Sequence, residues 1–274
     1  MWDTKMDKTK KTIFWLVMYT LMLLAIFYFK MFFEIFGNII KIITPLITLY
    51  FGYKAYKFFG ATSLQAKSAL LITTCMGFFL IGDLYWIFND NAVISIADLF
   101  WFIGYAFFIA GITLGIKVVD SDFFKRGKNL IVAAILFAVS GLYLKFFPLS
   151  WNTQAGFLEN IVTYGYILLD VFLLFLTLLV LYVVYLIRTG NSAKFWITIG
   201  IGNIFFLIAD SIYALDYSNY AAGNISDVIW LWGYIAYAIS FVLLVQGASS
   251  AIESATKSIG TRKISGRKST KAKL

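Results

Sequence analysis

Hydrophobic positions in this chain neither alternate with polar ones at a strand period nor form a narrow stripe on otherwise polar helices. They run almost unbroken for stretches of about 20 residues, the length of helix that crosses a bilayer core. Such stretches lie at 12–30, 38–59, 67–88, 97–118, 129–147, 160–187, 194–215 and 227–247. The pattern predicts an all-α, polytopic membrane protein with eight transmembrane helices. The first stretch is long, ends in Phe and Lys rather than small residues and leads straight into further spans, so it reads as a retained anchor.

The polar residues that interrupt these runs recur. FFLIGD at 78–83 followed by ADLFWFIGY at 97–105 returns as FFLIAD at 205–210 followed by SDVIWLWGY at 226–234. The third and seventh spans therefore correspond, as do the fourth and eighth, and the chain divides into a first four-helix repeat at 1–120 and a second at 121–247. Four is an even number of crossings, so both repeats should have the same orientation, related by an axis along the membrane normal. For the first two spans of each half only the lengths match, and Pro45 in one and Asp170 in the other mark divergence.

A carboxylate within a bilayer costs roughly 2.5–3.5 kcal/mol on insertion scales, so repeated aspartates in apolar helices point to a site or to a polar seam between helices. Asp83 shares a helical face with Phe79 and Trp86, and Asp210 with Phe206 and Tyr213, while Asn203 adds an amide two turns earlier. Asp98, Trp101 and Tyr105 form one stripe, mirrored by Asp227, Trp230 and Tyr234. Asp98 and Asp227 open their helices, where a carboxylate caps orphan N–H groups and suits the dipole. Asp83 and Asp210 close theirs, where the dipole disfavours them, so they either face a functional cavity or staple helices through donors from elsewhere. Belts of Trp and Tyr are ordinary at bilayer interfaces, but aromatic rings beside carboxylates also suit an organic cation or polar headgroup. The expectation is an acidic, aromatic-walled cavity open to the outer side, with Gly104 and Gly233 allowing close helix packing. Asp170 lies near the middle of the sixth span and reads as protonated, hydrogen-bonded or part of a proton path.

Composition agrees with 61% hydrophobic and 14% charged residues. One cysteine and no histidine exclude disulfide frameworks, Cys/His metal centres, histidine-ligated haem and imidazole-based triads, and no cofactor or metal is expected. The net charge of +9 is explained by topology rather than by nucleic acid. With the N-terminus in the cytoplasm, 20 of the 23 Lys and Arg fall inside and only Lys30, Lys41 and Lys145 outside, which predicts a plasma-membrane protein with both termini cytoplasmic. The segment 248–274 is basic, rich in Ser and Thr and without apolar periodicity, which predicts a disordered tail that determines topology or grips anionic lipid.

The motif GD, an aromatic, then AD, a spaced aromatic and GY, carried from Gly82 to Gly111 and from Ala209 to Ser240, resembles a multi-span membrane region found at the N-termini of archaeal and bacterial signalling proteins. Those proteins attach histidine kinase or diguanylate cyclase modules, so the resemblance implies a sensory or ligand-binding membrane module; with no effector after the last span, signalling would need a separate partner. A weaker similarity is to YhhN-like lysoplasmalogenases, on Gly82-Asp83 and on Ala209-Asp210-Ser211 with Ala214. That family implies a hydrolase of lipid ethers or esters in which Asp83 and Asp210 do acid and base work. The reading favoured is a ligand-binding, sensory or accessory membrane protein rather than an enzyme, taking a small polar, cationic or lipid-derived ligand. The alternatives are the hydrolase and a transporter that uses Asp170 as its coupling group.

Overall fold

The structure is a computed structural model that describes residues 4–28, 30–89, 95–147, 151–153, 156–187, 191–215 and 224–271. The described elements are helices α1 (Thr4–Tyr28), α2 (Lys30–Phe59), α3 (Leu64–Phe88), α4 (Ile96–Val119), α5 (Gly127–Ser140), α6 (Phe157–Ile187), α7 (Asn191–Leu215) and α8 (Ile225–Lys271), with short 3-10 turns at Phe123–Lys125 and Gly141–Lys145. Among the described residues, seven helices, α2 to α8, are long and apolar enough to cross a membrane. Side chains such as Ile39, Ile135 and Phe172 face outward, as expected where lipid is the solvent.

Local chemistry sets the helix ends. Gly60 takes φ of +75° directly after α2, the left-handed conformation that closes a helix, and Ser63 then caps α3 by accepting the Ala66 N–H at 3.0 Å. Ser95 and Asp98 form a reciprocal capping box at the start of α4. Two sequence expectations are corrected. The gap foreseen between the first two spans is mostly helical, because α2 already begins at Lys30. Pro45 does not interrupt α2: the helix runs through it, with the Thr44 hydroxyl donating to Ile40 O at 2.8 Å and the Thr48 hydroxyl to Tyr234 O at 2.8 Å. Beyond residue 247, α8 is described as continuing to Lys271. The membrane span supplies the nucleus, and extending a formed helix through Ala, Ile, Lys and Arg is cheap where starting one is not.

The helices assemble as two tight hairpins, α3 on α4 and α7 on α8, and each hairpin is embraced from both sides. Helix α2 packs on α3 and also on α8, while α6 packs on α7 and also on α4. Helix α1 lies against α8 and α2, and α5 lies against α6. Between the hairpins sits an aromatic layer, with Phe79 and Phe206 ring centroids 5.8 Å apart at its centre and Phe108 against Tyr237 at 5.6 Å. The joint between the two halves is anchored: Phe123 is buried, the Asn129 amide donates to its carbonyl at 3.1 Å, and the Tyr182 hydroxyl donates to Asn129 Oδ1 at 3.3 Å.

Candidate functional site

At the end of the bundle where α3 and α7 finish, the repeated residues meet in a crossed pattern. Asp83 accepts the Trp101 indole N–H at 3.1 Å from its own hairpin and the Tyr234 hydroxyl at 2.9 Å from the other. Asp210 accepts the Trp230 indole N–H at 2.7 Å and the Tyr105 hydroxyl at 3.3 Å in the same way. The stripe of Asp, Trp and Tyr on α4 and on α8 explains the pattern. Tryptophan, one turn in, reaches back to the helix before it; tyrosine, a turn deeper, reaches across the aromatic layer. Because α3 and α7 run more than a turn beyond them, Asp83 and Asp210 lie short of the last turns expected from the sequence, and bonds from N–H and O–H groups answer the cost of holding a carboxyl within the bundle.

Matching packing supports these bonds. Phe79 lies edge-on to Tyr105 at 5.1 Å and Phe206 to Tyr234 at 5.2 Å. A Cβ on Gly104 would fall 2.5 Å from the Phe79 ring, and one on Gly233 would strike Phe206, so each tyrosine is preceded by the only residue that lets its helix close on the neighbouring phenylalanine. Trp86 packs on Trp101 at 5.9 Å and Tyr213 on Trp230 at 5.6 Å. Asp83, Asp210 and these four rings remain half-buried, where the sequence predicts an outward-opening vestibule.

Other predicted site residues lie deeper than expected. Tyr105 and Tyr234 are buried braces between the hairpins rather than walls of a cavity. Asn203 is fully enclosed and accepts the Tyr237 hydroxyl at 2.7 Å, which takes it out of the vestibule. Asp98 and Asp227 are buried and bound to side chains from the second helix of the opposite half: Asp98 accepts the Tyr166 hydroxyl at 2.6 Å, and Asp227 pairs with the Lys41 ammonium at 2.9 Å. Asp98 thus works both as a cap and as a cross-brace.

Lys41 and Tyr166 were not foreseen as site residues, and they show how the halves differ. Both serve the same purpose, α2 to α8 and α6 to α4, but one is a cation and the other a phenol. One turn after Lys41 comes Pro45, and one turn after Tyr166 comes Asp170. Asp170 is buried, and its carboxyl accepts the Tyr143 hydroxyl at 2.8 Å. Tyr143 in turn shares a 2.9 Å hydrogen bond with the Ser211 hydroxyl. Asp98, Asp170 and Asp210 are thus held by phenols and an indole, and the ion pairs among the described residues are made elsewhere, at Asp227, Asp122 and Asp120. Lys41 had a signal in the sequence, a charge inside an apolar span; Tyr143 and Tyr166 had none.

No group of three or more His, Cys, Asp or Glu side chains suited to hold a metal ion occurs among the described residues. Comparisons with protein-family models, curated proteins and solved structures find no match to this chain.

Proposed function

We propose that this chain is a sensory or accessory membrane protein of eight spans, built from two four-helix repeats in parallel orientation, whose acidic and aromatic vestibule binds a small polar, cationic or lipid-derived ligand on the outer side. The placement of 20 of the 23 basic residues supports cytoplasmic termini. The observation that carries the ligand reading is the crossed bonding of Asp83 and Asp210, each held by one donor from either hairpin. A ligand that takes over one of those donors or acceptors alters the contact between the halves, so binding at the vestibule is converted into a change of packing. Half-buried Trp86, Trp101, Tyr213 and Trp230 offer ring faces beside the carboxylates, the combination that favours a cationic or headgroup-like molecule.

Native mass spectrometry of the gently purified protein beside its Asp83→Asn/Asp210→Asn variant tests this. The expected result is a bound small molecule or lipid on the wild type and none on the variant; identical spectra from equally stable proteins would leave the aspartates as staples only. The hydrolase reading has one observation of its own in favour: the Tyr143 hydroxyl joins Asp170 to Ser211, the residue after Asp210, which brings a second carboxyl toward one that this reading uses for acid and base work. It predicts that an added lysolipid vinyl ether appears as cleaved product with the wild type and intact with Asp210→Asn.

A further inference from the structure

We propose that the α7–α8 hairpin is the half of the vestibule that binds, and that it takes an alkylammonium, a cation carrying N–H hydrogens, between the Asp210 carboxyl and the Ser226 hydroxyl. The inference rests on the reading of the vestibule just given and names the chemical class of its ligand. Its basis is a difference between two matching hairpins in which polar atoms are left unbonded.

Among the described residues, the buried side-chain polar atoms without a hydrogen-bond partner are Asn203 Nδ2, Ser226 Oγ and Trp232 Nε1, and all three belong to α7 or α8. The matching positions of the α3–α4 hairpin hold Met76, Ala97 and Ile103, so an apolar solution exists at each of them. A buried polar atom left unbonded costs stability that an apolar side chain in its place does not. Trp232 packs against Phe205 at 5.7 Å and against the cluster that α1 forms with Leu16 and Leu23, away from Asp210. Asn203 lies two turns before Asp210, with its carbonyl engaged by Tyr237. Ser226 is fully buried and lies one turn before Trp230 on the same face of α8, and the Trp230 indole is the group that reaches Asp210. Of the three, Ser226 is therefore the one placed to meet a molecule bound at Asp210.

The bonding of Asp210 sets the charge of that molecule. Its Oδ1 accepts the Trp230 N–H at 2.7 Å and its Oδ2 the Tyr105 O–H at 3.3 Å. An indole and a phenol have one hydrogen each to give, so both are spent, whereas each carboxyl oxygen keeps a lone pair. A ligand there meets acceptors and the rings of Tyr213 and Trp230, whose centroids are 5.6 Å apart, a setting that attracts a cation and repels an anion. No ion pair among the described residues reaches Asp210; those formed are at Asp227, Asp122 and Asp120. Ser226 then separates two kinds of cation. An ammonium with N–H hydrogens bonds the Asp210 carboxyl and the Ser226 oxygen together, while a quaternary ammonium has no hydrogen for either and leaves the buried hydroxyl as it was. The chain already holds one alkylammonium against a buried carboxylate, Lys41 on Asp227 at 2.9 Å. In the α3–α4 hairpin Ala97 stands where Ser226 stands in the other, so Asp83 has no such second acceptor beside it, and that half serves to hold the fold.

Calorimetric titration of the protein in phosphatidylcholine nanodiscs with n-butylammonium and with butyltrimethylammonium tests this. The first is expected to bind saturably and about tenfold or more tightly than the second, because it makes charge-assisted hydrogen bonds that the methylated cation cannot. Ser226→Ala, which copies Ala97, should abolish the difference while the melting temperature stays or rises, a combination that a serine kept for packing does not give. Equal affinities for the two cations, binding of n-butylammonium to Ser226→Ala as tight as to wild type, or binding of neither cation overturns the proposal. An alkylammonium can come from a free amine or from the amino headgroup of a lipid. Replacing part of the phosphatidylcholine by phosphatidylethanolamine distinguishes them: weakened n-butylammonium binding assigns the site to the headgroup, and unchanged binding assigns it to the free amine. A quaternary or uncharged ligand found by mass spectrometry would leave the vestibule standing and the alkylammonium refuted, whereas a wild type that carries no mass and binds neither cation removes both.

Discussion

Asp83 illustrates how much one side chain can be asked to hold. It lies more than a turn short of the end of α3, and it ties its own hairpin through Trp101 and the opposite hairpin through Tyr234. Interhelical hydrogen bonds in membranes are worth about 0.6 kcal/mol on average and up to ~1.7 kcal/mol by double-mutant cycle, because the separated helices also find partners. A cycle of Asp83→Asn and Tyr234→Phe, read by reversible unfolding in mixed micelles, should fall near the upper figure, since the bond is charge-assisted and partly shielded. A coupling indistinguishable from zero would mean that the phenol and the carboxylate are neighbours without being partners. The sequence showed which residues these are through their duplication, and Lys41 was readable as a charge that needs a counter-charge. Which donor meets which acceptor was not readable, because nothing local makes Tyr234 serve Asp83 rather than Asp210, the aspartate of its own repeat.

At the scale of elements, the contact between the second and third helices of each half is built twice with the parts exchanged. In the first half Gly52 of α2 lies under Thr73 of α3; in the second Thr177 of α6 lies over Gly200 of α7. The two contacts differ in tightness. A Cβ on Gly52 would run into the Thr73 side chain, whereas one on Gly200 would meet Thr177 Cγ2 at 3.9 Å, an ordinary van der Waals distance. Gly52→Ala is therefore expected to cost about 1–3 kcal/mol through overpacking, with Thr73→Ala recovering part of the loss, while Gly200→Ala should stay close to wild type. Unfolding midpoints of the three variants decide the matter, and equal effects at Gly52 and Gly200 would contradict the difference in fit. Spans were legible from apolar runs because a bilayer demands length and hydrophobicity of every crossing helix. Helix α5 was read less well: its α-helical part ends at Ser140 and a 3-10 turn follows to Lys145, a change of winding that brings Tyr143 to Asp170 and that no hydropathy pattern encodes.

For the whole molecule, the proposed topology makes a side-specific expectation. Cysteines introduced at Lys125 and at Asn152, on exposed connections at opposite ends of α5, should react with an impermeant thiol reagent from the cytoplasmic and the outer side respectively, and the natural Cys75 is buried and silent. Labelling of both from one side would contradict the orientation. The amino-acid sequence alone determined that the chain is helical and suited to lipid, where most of its helices lie, and which residues recur, because transfer into a bilayer acts on each segment separately and a recurring motif is visible residue by residue. Only the tertiary structure decided that the tyrosines cross over, that Lys41 and Tyr166 brace opposite hairpins with different charge, and that Asp170 comes to rest on Tyr143 beside Ser211. Those outcomes depend on how α2 and α6 cross to the opposite hairpin, a choice made by packing between segments distant in sequence, where the hydropathy of each segment is the same for every arrangement.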